Sequence, residues 1–419
     1  RPDMAPVWPA GDARATRGYR RVMAMIPLPE AQALVIEGCP VLEPRQVDFT
    51  ESSGLVIAEE VVGTELVPPL DNTAVDGYAV RSVDLAQVPV ELTVVGEIAA
   101  GASSDHVLSA GETIRIMTGA PIPSGCDAVV MVEDSERLGL VDGVERVRLT
   151  ASVEAGAAIR PAGDDVRPGD VLFGAGTSVT PAVLGVLAGA NCRRLSVHPA
   201  ARVAVLCTGD ELVDEDRPLR PGEVRESNRR MVVGLVEETG CRVTDLGIVR
   251  DDEAELERVL MAAAADHDAI VTTGGVSMGD YDVVKAVLGR IADMTWMQVA
   301  IKPAKPFAFG HISGVPVFGL PGNPVSSLVS YEMFARPALR RMMGHRRLAR
   351  PSVVAAADPM ARCISCGSRP SSPMTGAVMS FRCAPRGAIN WRPPRWRTRS
   401  LSFPTVMASP PVTRWRYCF

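Results

Sequence analysis

The sequence lacks the features that mark several large classes of protein. Its 419 residues contain no apolar run of 18 or more, so no transmembrane helix is expected. The first 24 residues are rich in Arg, Pro and Ala and hold no apolar signal core, which argues against secretion. No P-loop and no Ser-His-Asp arrangement is visible. These absences predict a cytoplasmic protein without a membrane partner.

Histidine and cysteine offer little metal or redox chemistry. The five histidines show no spacing typical of a metal site. Five of the nine cysteines lie in apolar or strand-like surroundings, where we expect reduced thiols of a cytoplasmic protein. These five are Cys39, Cys126, Cys192, Cys207 and Cys241. Cys363 and Cys366 have the spacing of a zinc half-site or a redox pair, but no second pair matches them, so we assign them no chemistry.

Acidic residues are absent from the end of the chain. Asp358 is the last of them, and the 61 residues after it hold ten arginines and no lysine. Residues 1–358 carry 34 basic and 49 acidic groups, a net charge of −15. A basic tail is typical of a nucleic-acid-binding arm, but this Arg-, Pro- and Trp-rich tail has no hydrophobic period. The abrupt change favours translation out of frame from about residue 359, with no folded domain, no strand and no nucleic-acid partner.

The overall composition is that of a globular chain, with 47% hydrophobic and 22% charged residues, and its length suits two to four domains. Residues 29–37 predict a helix, and residues 55–62 predict a strand. Short alternating runs over residues 88–149 predict a small β domain. Thr180 and Pro181 predict the N-cap and the first residue of a helix.

Strand and helix patterns alternate between residues 201 and 343, which predicts a doubly wound α/β domain. The predicted strands cover 202–207, 242–249 and 269–273, and the predicted helices cover 228–238, 253–264 and 283–290. Gly240 predicts the end of the first helix, and Asp252 predicts the N-cap of the second. Ligands of such domains bind at the carboxyl ends of the strands, so we expect a site in the loops that follow them.

The loop at residues 274–282 carries the strongest local signal. Gly274, Gly275 and Gly279 follow an apolar strand, and Asp280 and Asp282 precede a helix. Backbone N–H groups and a helix start favour an anion there. Two carboxylates would repel a phosphate unless a divalent cation lies between them. The loop therefore predicts a joint phosphate and metal site, and the alternative is an ordinary strand-to-helix turn.

Four further segments carry polar groups. They are residues 208–212 with Asp210 and Glu211, 250–252 with Asp251 and Asp252, 301–307 with Lys302 and Lys305, and 319–327 with Asn323 as a helix cap. Open backbone N–H groups of the loop at residues 319–327 are expected to hold a second phosphate. Acids, lysines and helix starts at one edge of a sheet predict a site for a polyphosphate-like anion and a metal. The alternatives are that Asp210 and Asp252 only cap helices and that the lysines are only solvated.

Seven motifs resemble, in order, those of the molybdopterin molybdenumtransferase family, which includes MoeA and the gephyrin E domain. They are residues 71–79, 115–121, 207–212, 226–229, 274–282, 301–307 and 319–326. The resemblance covers about residues 25–345, and nothing after about residue 358 resembles the family's last β-barrel. It implies that molybdate is inserted into the dithiolene of adenylylated molybdopterin (molybdopterin-AMP), with Mg²⁺ and release of AMP. It also implies a homodimer with the active site between subunits and a molybdopterin adenylyltransferase as the upstream supplier.

The resemblance and the acidic loops together assign site residues. The expected catalytic residues are Asp76, Thr118, Glu211, Asp251 and Asp282, of which Glu211 and Asp282 are also the expected metal ligands. The expected substrate-binding residues are Gly274, Gly275, Ser277, Lys302, Lys305, Pro321, Gly322 and Asn323. Asp76 and Thr118 are expected to face the α/β site of the partner subunit. The turn at Asp76 is not expected to need Asp for folding, since Gly77 provides flexibility.

The expected fold class is multi-domain α/β plus β. The resemblance implies an elongated domain of residues 25–66 and 163–197, an inserted small β domain of residues 67–162 and a doubly wound α/β molybdopterin-binding domain of residues 198–344. Residues 345–419 occupy the position of the C-terminal β-barrel, which is not recognisable. Residues 1–24 are expected to be a disordered extension.

Two other functions stay open. A gephyrin-like scaffold would anchor receptor tails, but it is expected to carry a fused molybdopterin adenylyltransferase domain, for which this chain is too short. An enzyme that only adenylylates molybdopterin would lack the inserted β domain and the motif at residues 71–79, both of which are present.

Overall fold

The computed structural model describes residues 20–21, 25–276, 283–356, 380–382 and 414–418. The chain divides into two units, which we call the α/β unit and the β unit. The α/β unit consists of residues 1–40, 202–341 and 346–419, and the β unit consists of residues 41–201 and 342–345. No helix in the described ranges combines the length and the hydropathy needed to cross a membrane.

The helices in the described ranges are α1 (Leu28–Glu37), α2 (Pro181–Gly189), α3 (Asn228–Glu238), α4 (Glu253–Asp266), α5 (Val283–Ile291), α6 (Pro324–Ser330) and α7 (Arg336–Met342). A π-helical turn, Tyr331–Ala335, joins α6 to α7. The strands up to residue 198 are β1 (Arg20–Arg21), β2 (Arg45–Asp48), β3 (Val56–Ile57), β4 (Val61–Val62), β5 (Asn72–Thr73), β6 (Gly77–Val80), β7 (Val90–Ile98), β8 (Glu112–Ile116), β9 (Ala128–Met131), β10 (Ser135–Val141), β11 (Val144–Leu149), β12 (Ile159–Arg160), β13 (Val171–Phe173) and β14 (Arg194–His198). The later strands are β15 (Arg202–Thr208), β16 (Leu212–Val213), β17 (Val224–Arg225), β18 (Arg242–Val249), β19 (Ala269–Thr273), β20 (Asp293–Gln298), β21 (Pro306–Ile312), β22 (Val315–Leu320), β23 (Ser352–Ala356), β24 (Ser380–Arg382) and β25 (Arg414–Cys418).

The largest sheet of the β unit has six strands in the order β10-β11-β7-β8-β6-β9. Its core holds Tyr78, Val130 and Val147, since alternate residues of a strand face the same side. This sheet confirms the β structure predicted between residues 88 and 149. Helix α2 packs on the small sheet β2-β14-β3. At the start of α2 the Thr180 side chain accepts a hydrogen bond from Val183 N, which confirms the predicted cap.

The single strand predicted over residues 55–62 is wrong. The chain forms two short strands there, β3 and β4, which belong to different sheets. Strand β3 pairs with β14, whereas β4 pairs with β13. The apolar run is continuous in sequence, but its two ends satisfy their backbone groups with different partners.

The α/β unit is built on a seven-stranded sheet in the order β1-β20-β21-β22-β19-β15-β18. Strands β18, β15, β19 and β22 run parallel to one another. All five residues of β19 are buried, as is usual for a central strand of a parallel sheet. Helices α4 and α5 pack on this sheet through an apolar cluster that includes Leu206, Leu256 and Val287.

The predicted elements of the α/β unit are confirmed. Helix α3 and strands β18 and β19 have the predicted bounds, and β15, α4 and α5 run one or two residues longer. Gly240 has a φ of +93° just after α3, which confirms the predicted helix end. Asp252 caps α4, because its carboxylate accepts a hydrogen bond from Glu255 N at 2.8 Å.

Two predictions about the chain ends are wrong where the structure describes them. Arg20–Arg21 was expected within a disordered extension, but it forms β1 and pairs in parallel with β20. The tail was expected to hold no strand, but β24 and β25 form a three-stranded sheet with β23. In both places backbone pairing overrides an unfavourable composition. The rest of the tail lies outside the described residues.

Candidate functional site

Four loops of the α/β unit meet at one edge of its sheet. The parallel strands β15, β18, β19 and β22 end at Thr208, Val249, Thr273 and Leu320. A fifth segment, residues 299–305, lies at the same edge. It follows β20, which runs in the same direction as β22 because both are antiparallel to β21. The structure therefore brings together the strand-end segments that the sequence predicts.

Glycines allow the central loops to touch. Gly274 N donates a hydrogen bond to Leu320 O at 3.1 Å, and Gly274 has a φ of +91°. A Cβ at Gly274 would lie 3.0 Å from Thr208 O, and a Cβ at Gly322 would lie 3.8 Å from Gly274 Cα. The loops after β15, β19 and β22 are thus in contact, and side chains at Gly274 would separate them. Gly275 follows directly in the same loop.

The Glu211 carboxylate is exposed and lies over the backbone of Gly209. A Cβ at Gly209, whose φ is +141°, would lie 2.6 Å from Glu211 Oε2. The carboxylate forms no ion pair or hydrogen bond with any residue that the structure describes. Its oxygens are therefore available to a ligand that approaches this edge.

Asp251 lies beside Asp210. Asp210 N donates to Asp251 Oδ2, and Asp251 N donates to Asp210 Oδ1, both at 3.3 Å. The alternative that Asp210 caps a helix is wrong, because strand β16 follows it and its carboxylate holds the loop after β18. For Asp252 the capping alternative is confirmed.

Both lysines of the 299–305 segment are exposed, and neither forms an ion pair with a described residue. The segment is closed by a hydrogen bond from Val299 N to Lys305 O at 2.7 Å. The 44 basic residues of the chain include only three lysines, and two of them are Lys302 and Lys305. Every other basic residue except Lys285 is an arginine. The two compact ammonium groups of this segment are therefore unusual for this chain.

The predicted cap at Asn323 is confirmed, and the second anion site expected in this loop stays a prediction. Asn323 Oδ1 accepts hydrogen bonds from Val325 N at 3.1 Å and from Ser326 N at 3.2 Å. Pro324 has no N–H, and Ser327 N bonds to Asn323 O. The N–H groups of residues 325–327 are therefore satisfied by Asn323. Pro321 is buried, and its carbonyl accepts a hydrogen bond from Ser327 Oγ.

Asp76 and Thr118 lie together in the β unit. Asp76 Oδ1 accepts hydrogen bonds from Thr118 N and Thr118 Oγ1, both at 2.7 Å. These two bonds lower the pKa of Asp76, which stays ionised. Asp76 thus ties this turn to the segment after β8. That the turn folds without Asp stays a prediction. Gly77 is there for close packing, because a Cβ would meet Val130 O at 2.0 Å.

Ser277 and Asp282 lie outside the described residues. Among the residues that are described, no group of three or more His, Cys, Asp or Glu side chains is arranged to hold a metal ion. Mg²⁺ usually binds one or two carboxylates, several waters and substrate phosphates rather than a complete protein cage. The free carboxylate of Glu211 fits one such position. Cys207 is no nucleophile, because burial raises the pKa of its thiol to about 12.

Asn228, which is not among the expected site residues, also lies at this edge. Its Nδ2 donates a hydrogen bond to Gly322 O at 2.6 Å, across 94 residues of sequence. Two features of the sequence could have indicated a role for Asn228. It lies within the family motif at residues 226–229, and it is the first residue of a helix. Nothing in the local pattern indicates the contact with Gly322.

Comparison with known proteins identifies both units. The family described as "MoeA N-terminal region (domain I and II)" matches residues 26–190, and that described as "Probable molybdopterin binding domain" matches residues 204–341. The chain is 38% identical over 331 residues to the molybdopterin molybdenumtransferase of Haemophilus influenzae, covering 78% of this chain and 80% of that one. It is 40% identical over 325 residues to molybdopterin molybdenumtransferase 2 of Mycobacterium tuberculosis, covering 75% and 79%.

The fold is also similar to that of a solved structure. The MoeA protein of Pyrococcus horikoshii superposes with a TM-score of 0.67 at 30% identity, over 80% of this chain and 83% of that one. The sequence matches extend over both units and include the loops at the carboxyl edge of the sheet. The chain belongs to the molybdopterin molybdenumtransferase family.

Proposed function

We propose that this chain inserts molybdate into the dithiolene of molybdopterin-AMP and releases AMP, as a transferase of molybdenum cofactor biosynthesis. The observation that carries the proposal is the meeting of five strand-end segments at one edge of the α/β sheet. These segments contribute close-packed glycines, a free carboxylate and two exposed lysines. A ligand with phosphates and an anionic co-substrate matches this set of groups.

We assign each group a task. Gly274, Gly275 and Gly322 let the backbone approach the substrate closely, with Pro321 and Asn323 shaping the turn around Gly322. Lys302 and Lys305 bind anionic oxygens of the nucleotide or of molybdate. These residues orient the substrate.

Carboxylates would hold the metal and complete the site. Glu211, with Asp282, would hold Mg²⁺, and Asp251 supports them from the loop after β18. Bound Mg²⁺ would neutralise the phosphate charge as AMP leaves. Ser277 would add a hydroxyl donor.

We further propose that the protein works as a homodimer, with Asp76 and Thr118 facing the α/β site of the partner subunit. Both residues are exposed, and the carboxylate of Asp76 is held ionised by Thr118. Helix α2 supports the dimer, since its exposed residues are apolar and small. They are Pro181, Ala182, Gly185, Val186, Ala188 and Gly189. An apolar helix face of this kind is typical of a surface that another chain covers.

The proposed setting is the cytoplasm, with a molybdopterin adenylyltransferase as supplier of the substrate. The thiols support this setting, because Cys39, Cys126, Cys192, Cys207 and Cys241 are all free. Burial raises the pKa of Cys39 and Cys241 to about 12, so these thiols stay neutral and unreactive at physiological pH.

The test is AMP release by the purified full chain, measured with and without molybdate and with and without Mg²⁺. We expect release only when both are present. Binding of molybdopterin-AMP without any AMP release would instead favour a scaffold. Pyrophosphate release from ATP and molybdopterin would favour an adenylyltransferase.

Lysine variants test the assigned edge. Replacing Lys302 and Lys305 with Met should weaken binding of molybdopterin-AMP by about tenfold or more for each lost charged hydrogen bond, and should flatten its salt dependence. Lys285→Met is the matched control, because it removes the charge of the third lysine, whose ammonium lies over the ring of Trp296, 5.7 Å from its centroid. Equal affinity and an equal salt slope in the double variant would show that both lysines are only solvated.

A further inference from the structure

We propose that Asn228 is a positioning residue that fixes the turn at residues 321–323 against the substrate. The proposal deepens the proposed function and rests on it, because the turn lies at the same edge of the sheet. It assigns a role to a side chain outside the expected site residues.

Asn228 is not used to cap its own helix. The N-cap of α3 is Ser227, whose own side chain makes no capping hydrogen bond. The Asn228 amide donates instead to Gly322 O at 2.6 Å. Its Oδ1 is buried and forms no hydrogen bond with a described residue. The single hydrogen bond of this amide therefore goes to the turn.

The other side-chain hydrogen bonds of the turn, among the described residues, come from α6 only. Asn323 and Ser327 tie it to α6, through the cap and through the bond from Ser327 Oγ to Pro321 O. Gly322 is exposed, and Asn228 provides the one side-chain donor to its carbonyl in the described part of the chain. Asn228 thus fixes the turn from the side of α3.

The start of α3 is itself rigidly held. Arg229, only 4% exposed, pairs with Asp214 and Asp245, and its Nε lies 3.6 Å from Glu226 Oε2. Arg229 N also donates to Glu226 Oε1 at 2.6 Å. We call these residues the Arg229 cluster. Such a buried multi-point contact gives Asn228 a fixed base.

The Arg229 cluster also holds the segment that carries Glu211. Glu226 N donates to Val213 O at 3.0 Å, and Val224 N donates to Glu211 O at 2.8 Å. One anchored segment therefore fixes both the backbone of Glu211 and, through Asn228, the turn at Gly322. The two sides of the proposed site share one support.

The test uses the full chain with Asn228→Ala and Asn228→Asp, and Ser227→Ala as the control at the neighbouring exposed position. Hydrogen exchange by mass spectrometry reports on the turn, and titration with molybdopterin-AMP reports on binding. We expect faster exchange over residues 321–323 in both Asn228 variants, with strand β22 still protected. Affinity should fall by about fivefold in Asn228→Ala, the effect of one neutral hydrogen bond. It should fall further in Asn228→Asp, whose carboxylate cannot donate and repels the carbonyl.

Two results would overturn the proposal. One is unchanged exchange and unchanged affinity in both variants relative to Ser227→Ala. The other is a general loss of protection across the α/β unit, which would make Asn228 a residue of the fold rather than of the turn. If the unaltered chain does not bind molybdopterin-AMP, the proposed function is wrong. The positioning role of Asn228 toward that substrate is then wrong too, even if the exchange results show that Asn228 holds the turn.

Discussion

Two arginines of this protein each pair with several carboxylates, one at the solvent-exposed surface and the other in a buried position. Arg148, on the surface of the β unit, pairs with Glu91 at 2.8 Å and Glu136 at 2.7 Å, and its side chain is 37% exposed. Both partners lie directly across from it on neighbouring strands. Arg229 pairs with Asp214, Asp245 and Glu226, but its side chain is only 4% exposed. The chemistry is the same, and the access of water differs.

That difference decides what each cluster contributes. Exposed ion pairs contribute about 0–1 kcal/mol, because water and salt screen them. A buried pair need not add net stability, but it cannot lose one partner without leaving an uncompensated charge. The Arg148 cluster is therefore dispensable, whereas the Arg229 cluster is a required support of the site.

The largest expected effect is that of Arg229→Met. Removing the guanidinium leaves the buried Glu226 without a counter-charge, while Asp214 and Asp245 keep only the exposed Arg230 among the residues that the structure describes. The change should cost about 3–5 kcal/mol of unfolding free energy. Peptide-resolved hydrogen exchange should show the loss first in α3 and in the β16–β17 segment. A variant as stable as the unaltered chain would show that the buried cluster is dispensable too.

Low pH should reduce the loss of stability caused by Arg229→Met. Burial alone would raise the pKa of Asp245, but hydrogen bonds from Arg229 and from Gly247 N outweigh it and hold the pKa below the usual 3.8. The pKa of Asp245 is lower in the folded state than in the unfolded state. Ionised Asp245 therefore stabilises the fold at pH values above its unfolded-state pKa, and this stabilisation is lost as the pH falls through its folded-state pKa. The difference between Arg229→Met and the unaltered chain in urea unfolding should therefore shrink below about pH 4. A constant difference down to about pH 2 would argue against the ion pairs as its cause.

The smallest expected effect is that of Arg148→Met. Its cost in stability should be small and should disappear near 1 M salt, because both partners remain hydrated. Urea unfolding at low and high salt, monitored on peptides of the six-stranded sheet, measures this. A cost similar to that of Arg229→Met would remove the distinction between the two clusters.

Much of the α/β unit could be predicted from the sequence, because its signals are local. The bounds of α3, β18 and β19 follow from apolar periodicity, Gly240 and Asp252. The placement of Glu211, Asp251 and the lysine segment at one edge follows from the rule that parallel strands end together.

Contacts across long stretches of sequence were not predictable. No local pattern indicates that Asn228 reaches Gly322, or that Asp210 and Asp251 exchange hydrogen bonds. The cap at Asn323 was predictable, and its side chain accepts hydrogen bonds from Val325 N and Ser326 N. The second anion site in this loop stays a prediction.

The central claim is that the carboxyl edge of the α/β sheet is the reaction site, and Glu211→Gln tests it most directly. Glu215→Gln is the control, because Glu215 lies on the same segment, is exposed and pairs with Arg217. We predict that Glu211→Gln lowers molybdate-dependent AMP release by about 100-fold, the scale of losing one electrostatic stabiliser, and raises the Mg²⁺ concentration that it needs. The same rate and the same Mg²⁺ dependence in Glu211→Gln and Glu215→Gln would contradict the claim.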